Sequence, residues 1–157
     1  MPNLSEISNG TKLVLAAGVL LLIDTFLAWQ KVSAKFGGVE VASAKQNAWH
    51  GFWGIIMVLA LILLLAWVVI QVLNVKLNFE LPISEAWLTL GLGVIVFAFA
   101  LLKNLIDDYS AWASYVGVIL AALVAIGAWL RAQELGGVAM ARAGTPPDST
   151  PPTQPDV

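Results

Sequence analysis

The chain has 157 residues, of which 59% are hydrophobic and 11% are charged, and its formal net charge is −2. A soluble domain is typically about 45–50% apolar and about 25% charged, so a soluble fold of this composition would lack the residues that cover a surface. The absence of cysteine excludes disulfide scaffolds, iron–sulfur clusters and cysteine-based zinc sites. The chain has a single histidine, which argues against a haem held by two histidines. Its lysines and arginines are scattered, which argues against nucleic-acid binding.

Four apolar segments are long enough to cross a membrane, since a bilayer core about 30 Å thick needs roughly 20 residues of helix. None of them contains an interior proline, and tryptophans lie near their ends, as in the aromatic belts of membrane proteins. We therefore predict an all-α membrane protein, a four-transmembrane-helix antiparallel bundle with a short β-hairpin in the first loop. The predicted spans are about 11–29, 51–73, 85–102 and 109–130.

The first span contains Asp24, the one charged residue well inside an apolar segment. A carboxylate at the centre of a membrane helix costs about 2.5–3.5 kcal/mol on insertion scales. Such a residue is therefore expected to be protonated, to be paired with a cation, or to have a function. Asp24 lies five residues before Trp29, near the membrane border, where the long side chain of Lys103 from the third span can reach it. We predict an Asp24–Lys103 pair that fixes helix docking. The alternatives are a proton- or ion-coupled site at Asp24 and a carboxylate that extends to the interface.

The loop after the first span has the pattern of a β-hairpin over residues 31–44. Gly37-Gly38 suits a two-residue type I′ turn, because both central positions of that turn need positive φ. In this register Phe36 faces Val39. The apolar face so formed would lie on the membrane surface or cap the helices, and an irregular loop is the alternative. The predicted members of that face are Val32, Ala34, Phe36, Val39 and Val41, and Lys35 would face Glu40 on the other.

The ends of the chain lie outside the predicted membrane domain of residues 11–134. Residues 1–10 form an N-terminal segment, and residues 135–157 are predicted to be a disordered tail, because glycine, proline, serine and threonine replace apolar residues. Four spans place both termini on one side of the membrane. Lysines and arginines are divided equally between the two sides, so the positive-inside rule is uninformative. We expect cytoplasmic termini, because the compact hairpin resembles an extracytoplasmic element.

Several polar and aromatic residues are predicted to meet on the side of the hairpin, and we call this set the hairpin-side surface. His50 and two acidic residues within it have donor atoms that suit a metal ion, but they lack the spacing of a metal motif, so a solvated histidine is the preferred interpretation. We therefore predict no metal and no cofactor. The members of the hairpin-side surface are Trp29, Trp49, His50, Trp53, Asp107, Asp108 and Trp112.

The fourth span carries a stripe of small residues at a spacing of four. Such a stripe lets a second backbone approach closely. We expect packing against the third span within the chain, and a homo-oligomer interface is the alternative. The stripe consists of Ala113, Gly117, Ala121 and Ala125.

Four sequence strings carry a resemblance to a known group. They are LLLIDTFLAW (20–29), NAWHGFW (47–53), LLKNLIDD (101–108) and WLRAQE (129–134). Their order and spacing resemble a group of uncharacterised four-span integral membrane proteins from actinobacteria. The resemblance covers about residues 10–134 and implies the fold and topology, but no activity.

From these features we expect a non-enzymatic integral protein of the cell membrane, an accessory or interaction component that docks a partner or lipid through the hairpin-side surface. Its expected partners are membrane lipid and either a further protein or a second copy of the chain. The alternative is a small ion- or proton-coupled transporter or channel that uses Asp24. An enzyme is the third hypothesis, because the chain has no nucleophile elbow, P-loop or zincin motif.

Overall fold

The computed structural model describes residues 7–75, 84–106 and 110–143, which form four helices and a two-stranded sheet. Within these residues, α2, α3 and α4 are long and apolar enough to cross a membrane. The elements in chain order are α1 (Asn9–Asp24), β1 (Gln30–Phe36), β2 (Val39–Gln46), α2 (Phe52–Val72), α3 (Glu85–Ile106) and α4 (Trp112–Ala143).

The first helix is shorter than the predicted span, which was expected to continue to Trp29. It begins after Ser8, whose hydroxyl accepts a hydrogen bond from the backbone nitrogen of Thr11, and it ends at Asp24. The Thr25 hydroxyl donates to the backbone oxygen of Leu22, and the Trp29 indole donates to the backbone oxygen of Asp24. The backbone nitrogen of Leu27 also donates to the Asp24 oxygen, so side-chain and backbone donors together satisfy carbonyls at this helix end, where the chain turns.

The other helices differ from prediction mainly at their ends. The second matches the predicted span to within one residue at each end, and α3 continues four residues beyond 102. The fourth helix begins at Trp112 instead of 109 and continues to Ala143, so part of the segment predicted as a disordered tail is helical. Leucine, alanine, glutamine and glutamate around Gly136 favour a helix, and they outweigh the glycines that indicated its end. The rest of the predicted tail lies outside the described residues.

The predicted hairpin is confirmed, with one change of register. Phe36 is opposite Val39 and Lys35 is opposite Glu40, and both turn glycines have positive φ (60° and 84°). A register shift after Ala34 then places Ala42, instead of Val41, opposite Ala34. The inserted residue is a β-bulge, which a pattern of alternating apolar residues does not reveal.

Helix packing is most extensive between α3 and α4 and between α1 and α4, followed by α2 with α3. Glycines allow the close approach of α1 to α4: a Cβ on Gly127 would lie 2.9 Å from the backbone nitrogen of Val14. A Cβ on Gly10 would lie 2.6 Å from the backbone nitrogen of Arg131. The first helix therefore packs mainly on the fourth, and α3 lies between α2 and α4.

The small-residue stripe of α4 packs within the chain, against both α1 and α3. Ala113 and Ala121 are fully buried, and Gly117 faces the end of α1. On the side of α3, a Cβ on Gly93 would lie 3.6 Å from the Cα of Ala125. The predicted contact with the third span thus involves the later part of the stripe, while Gly117 accommodates α1.

Candidate functional site

Asp24 is buried at the end of α1, and its partner is Trp29. The Trp29 Nε1 donates to Asp24 Oδ2 at 3.0 Å and to the Asp24 backbone oxygen at 3.1 Å. Asp24 Oδ1 is buried and has no hydrogen-bond partner among the residues that the structure describes. The carboxylate therefore has one oxygen held by an indole N–H and one oxygen without a donor.

Gly117 of α4 makes room for this pair. A Cβ at that position would lie 2.2 Å from Trp29 Cζ2 and 2.7 Å from Asp24 Oδ2. The backbone oxygen of Trp29 also accepts a hydrogen bond from the backbone nitrogen of Ala111 at 2.7 Å. Trp29 is thus a fully buried residue between α1 and the start of α4, and it is not part of an exposed surface as the sequence predicted.

Lys103 is also buried, but its ammonium group has a different partner. Its Nζ donates to the backbone oxygen of His50 at 2.8 Å, and its stem passes the start of α2, where a Cβ on Gly54 would lie 3.2 Å from Lys103 Cδ. Within the described residues, the predicted Asp24–Lys103 pair is replaced by an Asp24–Trp29 and a Lys103–His50 hydrogen bond. The reason is the order of the helices: Asp24 faces α4, whereas Lys103 turns from α3 towards α2.

The remaining members of the hairpin-side surface differ in exposure. Trp112 is 68% exposed, and His50 is exposed with its Nδ1 2.9 Å from Asn47 Oδ1. Trp49 and Trp53 are half-buried. The ring of Trp49 lies against Phe26, and that of Trp53 against Phe52 and Phe99. Among the described members of this surface, His50 and Trp112 are therefore the ones that face outwards.

The acidic members, Asp107 and Asp108, lie outside the described residues. Among the residues that are described, no three histidine, aspartate or glutamate side chains are placed to hold a metal ion. The interpretation of His50 as a solvated residue stays a prediction.

A second polar cluster, at the opposite end of the helices, was not found from the sequence. Arg131 of α4 is buried, and its guanidinium donates to the hydroxyl of Thr11 on α1 and to Oε1 of Gln71 on α2. Gln71 in turn donates from Nε2 to Oε2 of Glu85 on α3 at 2.9 Å. One chain of hydrogen bonds therefore connects all four helices.

A signal for this cluster exists in the sequence. Thr11, Gln71, Glu85 and Arg131 each lie within a turn or two of the end of a predicted span, and an antiparallel order brings those four ends together. Each residue alone is ordinary for a membrane border, and Arg131 looks like a residue that extends to water. Only the joint position of the four residues indicates a buried guanidinium.

The comparisons with known proteins add no assignment: no protein-family model, no curated protein and no solved structure matches this chain. The resemblance to the actinobacterial four-span group stays a prediction. The site is therefore interpreted from its own geometry.

The Asp24–Trp29 hydrogen bond can be tested with a double-mutant cycle. We expect Trp29→Phe and Asp24→Leu to be coupled by about 1 kcal/mol or more in the free energy of unfolding, because each change removes one partner of the buried hydrogen bond between the indole N–H and the carboxylate. The measurement is reversible unfolding of the purified protein in detergent micelles.

The matched cycle combines Asp24→Leu with Lys103→Met, which retains the apolar stem of the lysine. Because these residues have different partners, their effects should add. Strong coupling in the second cycle and none in the first would restore the ion pair predicted from the sequence.

The four-helix hydrogen-bond chain predicts a specific cost for Gln71→Leu. This change removes an acceptor from Arg131 and a donor from Glu85, so we expect a loss of about 1–3 kcal/mol in the free energy of unfolding. Gln133→Leu is the matched control, because Gln133 is exposed on α4 and an exposed substitution typically changes stability by about 0.5 kcal/mol or less. Equal melting temperatures for the two variants would contradict a stabilising role for the chain.

Proposed function

We propose that this chain is a non-enzymatic integral protein of the cell membrane, an accessory or interaction component whose four helices cross the bilayer as an antiparallel bundle. In this proposal the hairpin-side surface docks a partner or lipid. The termini lie together on the cytoplasmic side, and the hairpin lies on the other.

Support for the antiparallel bundle comes from what meets at each end. The start of α1, the end of α2, the start of α3 and the late part of α4 are connected through Arg131. At the other end, the end of α1 contacts the start of α4 through Trp29, and the end of α3 contacts the residues before α2 through Lys103. Both sets of contacts fit helices that alternate in direction.

In this proposal α1 also crosses the bilayer, although it is short, and it is the span added to α2, α3 and α4. Its 16 residues extend about 24 Å at about 1.5 Å per residue, which is less than a bilayer core of about 30 Å. The turn that follows presents Phe26 and Leu27 to the outside. These apolar side chains extend the hydrophobic length beyond the end of the helix.

The observation that carries the docking proposal is that buried polar contacts hold the hairpin side in place while leaving it open. Trp29 fixes the base of the hairpin on α4, and Lys103 fixes the backbone of His50. Outside these contacts, His50 and Trp112 face outwards. An exposed aromatic on a fixed backbone loses little conformational entropy on binding, which is the property of an interaction surface.

Photo-crosslinking in native membranes tests this proposal. A benzoyl-phenylalanine in place of Trp112 probes the hairpin side, and the same group in place of Trp87 is a matched control. Both tryptophans lie near the start of a helix, and their exposed fractions are 68% and 69%. We expect discrete adducts from the Trp112 position, several times more abundant than those from the Trp87 position. The same adducts at the same yield from both positions would contradict docking on the hairpin side.

A second function is favoured by one observation, the buried Asp24 Oδ1 without a hydrogen-bond partner. An acceptor left without a donor in an apolar environment is costly, and a proton or a cation would relieve that cost. This geometry supports a small ion- or proton-coupled transporter or channel that uses Asp24.

Proton flux into liposomes distinguishes the two functions. The protein is reconstituted with a pH-sensitive dye inside the vesicles, and a potassium diffusion potential drives protons. The docking proposal predicts the same flux for the unmodified protein, for Asp24→Asn and for Glu40→Gln, an exposed carboxylate that serves as control. A flux that Asp24→Asn abolishes and Glu40→Gln preserves would favour the transporter.

A further inference from the structure

The β-hairpin has one apolar face, and that face is open along its whole length. Phe36 and Val39 at the tip are 82% and 67% exposed, and Val32 nearer the base is 45% exposed. The hairpin therefore does not cap the helices with this face, which was one of the two roles expected from the sequence. The other residues on the apolar face are alanines, all exposed: Ala34, Ala42 and Ala44.

The opposite face is polar and basic. Lys31 lies directly opposite Lys45, and Ser33 lies opposite Ser43. Like charges directly across two strands destabilise a hairpin, so cross-strand pairing does not explain Lys45 opposite Lys31. Lys31 itself forms an exposed ion pair with Glu40, with Nζ 3.9 Å from Oε1. The strands and turn together contain three lysines and one glutamate, a net charge of +2. This charge is complementary to an anionic surface.

The base of the hairpin lies beside the start of α4. Gln30 forms a β-bridge with Ser110, and the backbone nitrogen of Ala111 donates to the backbone oxygen of Trp29 at 2.7 Å. The next residue is Trp112, where the candidate membrane span of α4 begins. In the proposed membrane placement, the first residues of β1 would thus lie at the depth of lipid headgroups.

The edges of the hairpin do not suit a further strand. Both strands carry a lysine near the base, at Lys31 and Lys45, and a bulge follows Ala34. Charged side chains and bulges at an edge are the features that prevent pairing between sheets. A second copy of the chain added by strand pairing is therefore a poor occupant of this surface.

We propose that the hairpin lies on the bilayer surface, with its apolar face at the boundary between headgroups and acyl chains and its lysines on anionic phospholipid headgroups. This is the arrangement of an amphipathic interfacial element, in which apolar burial and attraction to anionic lipid act together. The inference rests on the proposed membrane placement and names lipid as the partner of the hairpin.

The test uses single cysteines, because the natural sequence contains none. Ala42→Cys and Ser43→Cys are neighbours on β2, both exposed, and they face opposite sides of the hairpin. Each is labelled with the fluorophore NBD and reconstituted in vesicles of phosphatidylcholine with phosphatidylglycerol, or of phosphatidylcholine alone. Quenching by a lipid-attached nitroxide reports the membrane, and quenching by acrylamide reports water.

In vesicles with phosphatidylglycerol, we expect the nitroxide to quench the probe at position 42 and acrylamide to quench the probe at position 43. Removing the anionic lipid should weaken this difference. Lys31→Gln and Lys45→Gln should each lower the ratio of membrane-facing to water-facing hairpins by about fivefold, the equivalent of about 1 kcal/mol per lysine at an anionic surface. Lys45→Gln relieves a like-charge neighbour, and Lys31→Gln removes an exposed ion pair with Glu40 that contributes little to stability, so both hairpins should form.

Equal access of acrylamide to the probes at positions 42 and 43 would overturn the inference. Protection of both probes from acrylamide that increases with protein concentration would also overturn it, because such protection indicates contact with a second copy of the chain. An Asn9→Cys variant separates this failure from that of the proposed function. If Asn9 and Ser43 are labelled from opposite sides of sealed vesicles while the hairpin stays in water, the first span crosses the membrane and only the lipid contact is wrong. Labelling from one side would contradict the four-span protein itself.

Discussion

The hydrogen bond from the Trp29 indole to Asp24 is the contact on which one whole end of this protein depends. It lies at the end of α1, where the same indole N–H also donates to the backbone oxygen of Asp24, which accepts from the backbone nitrogen of Leu27 as well. It buries Trp29 against Gly117, where only a glycine leaves enough space. It also fixes where the next strand begins, since β1 starts one residue later. A carboxylate that is costly in an apolar segment thus serves to position a turn, a helix contact and a hairpin.

The charges buried in the described part of the protein follow one rule: each lies towards one end of the group of helices, and each has a polar partner outside its own helix. Lys103 reaches a backbone oxygen before α2, and Arg131 reaches Thr11 and Gln71. In an apolar environment a donor or acceptor must find its partner within the protein, because water is absent. These contacts therefore restrict which helices are neighbours, whereas apolar contacts alone would allow several arrangements of similar energy.

This division between ends and middle bears on function. The middle of the helices is occupied by apolar side chains such as Leu21, Leu61 and Val96, all fully buried. The polar groups are used to hold the two ends, and one end leaves an amphipathic hairpin and exposed aromatics facing outwards. A protein built in this way has a fixed surface to present, which is the basis of the docking proposal. The transport alternative rests on Asp24 Oδ1, a buried acceptor that has no partner among the described residues.

The sequence by itself determined the helical class, three helices that can cross a membrane and the hairpin with its Gly37-Gly38 turn, because hydropathy, helix period and turn chemistry are local properties of the chain. It also identified Asp24 and Lys103 as the residues that need partners. Only the tertiary structure decided which partners they have, and it replaced the expected pair by contacts to Trp29 and His50. It likewise revealed the bulge after Ala34 and the burial of Arg131. The physical reason is that these outcomes depend on which helices are neighbours, and that order results from close contacts at glycines and from hydrogen bonds between residues far apart in the chain.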